Sequence, residues 1–106
     1  MVYSAIDHTK AKAKKIAERK IELPDGSILE INIWQLPAST AERPHGFKYR
    51  LQYCLPDAST LVRYDNKTNK GDHKHIREHE LPYKFTTKEQ LVKDFLADIV
   101  KLGGRL

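Results

Sequence analysis

The sequence predicts an α+β fold, a curved antiparallel sheet of about four to five strands with a C-terminal helix packed on one face. Three observations predict it. Between Ile16 and Asn66, apolar and polar residues alternate in successive stretches with the period of two that belongs to strands. Pro24-Asp25-Gly26-Ser27 and Pro56-Asp57-Ala58-Ser59 separate these stretches with turn-forming residues. From Thr86 onward the spacing becomes that of a helix.

The first strand is expected from about Ile16 to Leu23, with Ala17, Ile21 and Leu23 on one side and Glu18, Lys20 and Glu22 on the other; a helix competes for the same residues. Asp25-Gly26 supplies the positive backbone torsions of a tight hairpin, so the chain folds back. The second strand, Ile28 to Leu36, turns Leu29, Ile31 and Ile33 to one face. Trp34 falls on the other, polar face, which suggests that this face is covered or binds something. Pro37 to Gly46 is a polar loop, longer than most strand connections. The third strand alternates most cleanly: Phe47, Tyr49, Leu51, Tyr53 and Leu55 point one way, Lys48, Arg50, Gln52 and Cys54 the other.

In the fourth strand, Thr60 to Asn66, Val62 and Tyr64 alternate with Leu61, Arg63 and Asp65, which brings Arg63 and Asp65 out beside Lys48 and Arg50. Asp72 to Ile76 is a further short strand carrying His73 and His75 on one face. Thr86-Thr87-Lys88-Glu89 is a capping box in which the Thr86 hydroxyl accepts from the amide three residues on. Leu91, Val92, Phe95, Ile99 and Leu102 form the apolar stripe of the helix behind it, and Gly103-Gly104 ends it.

A chain of 106 residues has room for one core. The expected organisation is a basic N-terminal arm over 1–15, with Lys10, Lys12, Lys14 and Lys15, and a single domain over 16–106. With 40% hydrophobic and 31% charged residues the composition is globular, which excludes a disordered chain. No apolar run approaches the roughly 20 residues of a membrane span, and the first residues lack a secretory pattern. A cytoplasmic location is expected, and a single cysteine, Cys54, fits a reducing compartment. The formal net charge of +5 favours a polyanionic partner, which RNA or an acidic protein would satisfy equally.

Three of the five histidines crowd into the run from Gly71 to Glu80. A His-x-His pair on a strand presents two imidazoles at one point, which suits proton transfer or metal ligation. Cleavage of RNA at its own 2′-hydroxyl needs a base, an acid and a cation for the phosphate. His73 and His75 fit the base and acid, Arg63, Lys74, Arg50 and Lys48 the cations, and Asp65 either orients a histidine or shapes the turn beside Asn66. Tyr64 reads first as a core aromatic, and Trp34 as a residue for stacking on a base. A metal site would combine His73 and His75 with Asp65, Glu78 or His79, but no second ligand pair stands at a recognisable spacing; no metal or cofactor is assigned. There is no phosphate-cradling glycine loop and no nucleophile elbow.

Leu61-Val62-Arg63-Tyr64-Asp65-Asn66, Lys70-Gly71-Asp72-His73-Lys74-His75, Pro82-Tyr83-Lys84-Phe85 and a helix containing Asp94-Phe95 resemble the TumE-type family of small bacterial toxins. Pro24-Asp25-Gly26-Ser27, Ile33-Trp34-Gln35-Leu36-Pro37 and Phe47-Lys48-Tyr49-Arg50-Leu51 stand in the matching order, so the resemblance covers Ile16 to Leu102. It implies a toxin encoded beside a helix-turn-helix antitoxin that binds and silences it. The partners expected are that antitoxin, RNA and, as an option, a second copy of the chain. Catalytic residues are not carried over from the family: the roles of His73, His75, Arg63 and Asp65 rest on chemistry, and those of Lys48, Arg50, Lys74 and Trp34 on charge and stacking. Three readings stay open, namely a metal-independent endoribonuclease of a type II toxin–antitoxin system, a nucleic-acid or protein-binding module without catalysis, and a metal-binding domain or metal-dependent hydrolase.

Overall fold

The computed structural model describes residues 12–67 and 69–106. Six strands follow one another in space as they do in sequence: β1 (Lys14–Glu22), β2 (Ile28–Gln35), β3 (Phe47–Cys54), β4 (Thr60–Asp65), β5 (His73–Ile76) and β6 (His79–Pro82). Every neighbouring pair is antiparallel. Among the described residues one helix, α1 (Lys88–Lys101), follows the strands and packs on β3 and β4. The α+β class is as read from the sequence, with one strand more than the upper expectation. That strand, β6, reads His-Glu-Leu-Pro and is exposed along its length, so no buried alternation announces it.

The core lies between the sheet and α1. Tyr49, Leu51 and Tyr53 of β3 and Val62 and Tyr64 of β4 are at most 2% exposed, and Leu91, Phe95 and Ile99 of α1 close over them. Two irregularities bring consecutive side chains to this core. Val62 pairs with Tyr53 but Thr60 with Cys54, leaving Leu61 without an opposite partner. Leu61 is therefore buried with Val62, and not turned out with Arg63 as strict alternation would have it. A second shift between Lys15 and Ala17 lets both Ile16 and Ala17 pack against the core.

The first hairpin closes as expected, with Gly26 at φ +91° and the Leu23 amide donating to the Ser27 carbonyl. The helix cap lies one residue later than the capping box predicts. Thr87, extended at φ −136°, accepts from the Gln90 amide, because the first helical residue is Lys88. Glu89 bonds to the Lys88 ammonium, leaving the reciprocal arm of the box unmade. The arm expected over 1–15 lies mostly outside the described residues, and β1 starts inside it at Lys14. No described helix is long and apolar enough to cross a membrane.

Candidate functional site

Helix α1 covers one face of the sheet, and the strand registers decide which residues reach the other. Asn32, Arg50, Asp65 and His73 stand opposite one another across β2 to β5 and form one row. Gln52, Arg63, His75 and Glu80 form the next row, across β3 to β6. A third row holds Lys15, Trp34 and Lys48. Seven of the eight residues selected from the sequence thus share the open face. The eighth, Lys74, does not: the period of two that joins His73 to His75 sends the residue between them through the sheet. Lys74 lies opposite Tyr64, and its ammonium pairs with Asp98 of α1 at 3.0 Å.

Asp65 is the centre of the site. Its Oδ1 lies 2.8 Å from His73 Nε2 and its Oδ2 3.1 Å from Arg63 Nε. His73 Nδ1 donates to the Gly71 carbonyl at 2.9 Å. Both ring nitrogens of His73 therefore face oxygens that accept, the Asp65 carboxylate on one side and the Gly71 carbonyl on the other. His73 is 5% exposed and Asp65 9%, so the pair is held with little freedom to turn.

His75 is different. Its ring stands at 76° to that of His73, with centroids 5.1 Å apart. Its Nε2 is shielded from solvent yet makes no hydrogen bond, since the nearest acid, Glu80 Oε1, is 3.6 Å away. Burial first, then the charges of Arg63 and His73, lower the His75 pKa from the ordinary 6.5. The neutral form of the ring is favoured, and its Nε2 is free of any hydrogen bond. Arg63 Nε is likewise buried without hydrogen-bond geometry to Asp65, although the charges are in contact.

His73, His75 and Glu80 also bring potential ligand atoms within 4.8 Å of one another. Glu80 is the member that sequence reading missed, because it arrives on the unforeseen β6. The fit to a divalent cation is poor: His73 already serves Asp65 and Gly71, Lys70 lies 3.3 Å from Glu80, and the Arg63 charge bears on His75.

A groove of about 320 Å³ runs beside the site, lined by Trp34, Lys48, Arg50, Asp65 and Lys67 among others. Lys15 and Lys48 hold their ammonium groups 5.1 and 5.3 Å from the centre of the Trp34 indole. Such contacts are worth roughly 0.5–1 kcal/mol at exposed positions. The loop after β2 is anchored at the same end of the sheet. Arg43 donates to the Asn66 carbonyl, and His45 Nε2 and the Tyr49 hydroxyl both bond to Asp72. Since His45 Nδ1 accepts from the Phe47 amide, this histidine has no free nitrogen and fastens the loop. Tyr64 is fully buried and donates to Asp98, the core aromatic that its alternation implies.

A family model described as Toxin TumE matches residues 2–102, reaching further toward the N-terminus than the resemblance that starts at Ile16. No curated protein and no solved structure matches the chain.

Proposed function

This chain belongs to the TumE toxin family, and from that premise we propose that it acts on RNA as a metal-independent endoribonuclease, cutting at the substrate's own 2′-hydroxyl. The observation that carries the reading is the shielded Nε2 of His75, free of any hydrogen bond, beside the His73–Asp65 pair and the Arg63 guanidinium that Asp65 holds.

In this mechanism His75 Nε2 takes the proton of the 2′-hydroxyl as the oxygen attacks phosphorus. The bond from phosphorus to the 5′-oxygen breaks, and that oxygen takes a proton from the His73–Asp65 pair by way of the Asp65 carboxyl, which lines the groove. Arg63 and Arg50 donate to the phosphate oxygens as charge accumulates on them. The products are a 2′,3′-cyclic phosphate and a 5′-hydroxyl. Lys48 adds a phosphate contact along the groove, while Lys74 is committed to Asp98 and takes no part. The antitoxin is then a helix-turn-helix protein that silences this face, and the pair works in the cytoplasm.

His75→Ala is the test. Loss of a general base costs roughly 10²- to 10⁴-fold, so cleavage of an RNA in chelator should fall by at least 100-fold while circular dichroism stays unchanged. His73→Ala and Asp65→Asn should also lose activity. Full cleavage or full growth arrest by both histidine variants would end the proposal, as would activity that vanishes with chelator alone.

A further inference from the structure

We infer that Trp34, set between Lys15 and Lys48, is a nucleobase subsite, and that the substrate reaches the site as a single strand. This rests on the open face being the RNA face, as proposed above, and it adds the form of the substrate and the position of one base.

Trp34 is the only tryptophan of the chain and is partly exposed on the open face of a strand whose core positions are filled by Leu29 and Ile33. Burying the indole in the core would have needed a shift of one residue. Instead it stands in one row with two lysines, one on each neighbouring strand. Lys48 and Arg50 extend the cationic lining from the indole to Asp65 within a single groove. Lys15 is also paired with Glu18 at 2.9 Å, so Lys48 is the less committed of the two ammonium groups beside the ring.

The register sets the distance. Trp34 lies two strands away from Asp65, roughly 10 Å at about 4.8 Å per strand, and two residues, roughly 7 Å, along the strand direction. The separation of about 12 Å matches one to two nucleotides of an extended strand, each of which spans at most about 6–7 Å. A phosphate at Asp65 and Arg63 would therefore place a base one or two positions away on the indole. Its own phosphates would draw the lysines off the ring, an exchange favoured because stacking on an indole is stronger than an exposed ammonium contact. A base inside a duplex has both faces occupied by its neighbours and cannot make this contact, which is why the substrate is single-stranded.

The sole tryptophan makes the test direct. A decanucleotide of 2′-O-methyl RNA, which cannot be cut, should quench the emission of the full-length protein as it binds, and a hairpin duplex of the same composition should leave emission unchanged. Fluorescence anisotropy of a labelled 2′-O-methyl strand should show Trp34→Leu binding about 5- to 100-fold more weakly, with Trp34→Phe recovering most of the loss. Binding with unchanged emission would overturn the inference, as would equal quenching by the duplex or wild-type affinity in Trp34→Leu. Because the probe is inert, the two proposals fail separately: quenching by a protein that cuts no RNA sinks only the nuclease, and cleavage without quenching sinks only the subsite.

Discussion

At His75, burial and then the charges of Arg63 and His73 outweigh the opposing charges of Glu80 and Asp65, and the sign of the outcome follows. Desolvation disfavours the imidazolium, Arg63 and His73 repel it, and the pKa falls below 6.5. A base must be unprotonated to work, so the acid limb of the cleavage profile should fall through a midpoint below 6.5. Replacing Arg63 with Gln removes one of the two repelling charges and should move that midpoint up, whatever it does to the maximal rate. A rate profile between pH 4.5 and 8 checks this, and an acid limb unmoved in Arg63→Gln would separate Arg63 from His75. At this scale the sequence was informative about company and silent about state. Spacing by two put both imidazoles on one face, and the same rule applied to Lys74 would have removed it from the RNA-binding set. That His73 is locked and His75 free depends on the Gly71 carbonyl and on the partner of Asp65, which only the β4 to β5 register brings into place.

Strands and helix show where a pattern of alternation carries information and where a local departure from it does not announce itself. β2 and β3 were legible because each buries one face and wets the other. β4 was half legible: the extra residue at Leu61 breaks the period, and nothing in the local sequence distinguishes a bulge from a polar-facing leucine. The end of β4 is built by a side chain. Asn66, 2% exposed, accepts from the Tyr49 amide through Oδ1 and donates to the Phe47 carbonyl through Nδ2, continuing the ladder after the backbone pairing of β4 has stopped. Asn66→Ala would strand both backbone groups, at roughly 1–3 kcal/mol for each buried group left unsatisfied. Urea denaturation should therefore show a loss of about 2 to 6 kcal/mol. Leu51→Ala and Phe95→Ala, which empty core volume, belong in the same range, at about 2 to 5 kcal/mol. Arg50→Ala, on the exposed side of the same sheet, should stay within about 0.5 kcal/mol. Equal destabilisation by Leu51→Ala and Arg50→Ala would mean that the faces are confused.

Across the whole molecule the two faces divide the work, one closed by α1 and the other carrying charge in rows. The formal charge of +5 was visible in the sequence but not its distribution, since lysines also decorate the exposed side of α1 at Lys93 and Lys101. Long-range attraction draws on every cation, whereas contact with a phosphate draws only on those that reach it. The salt dependence of binding separates these contributions, because each phosphate neutralised on a single strand contributes about −0.7 to the slope of log K against log salt. Lys48→Ala and Arg50→Ala should each make the slope shallower by about that amount for a 2′-O-methyl oligonucleotide. Lys93→Ala and Lys101→Ala remove the same charge from the far side and should leave the slope unchanged. Should all four variants shift it alike, the attraction belongs to net charge and the open face has no special claim on RNA; should only the helix variants shift it, the strand binds over α1 and the site built around Asp65 has been assigned to the wrong side of the sheet.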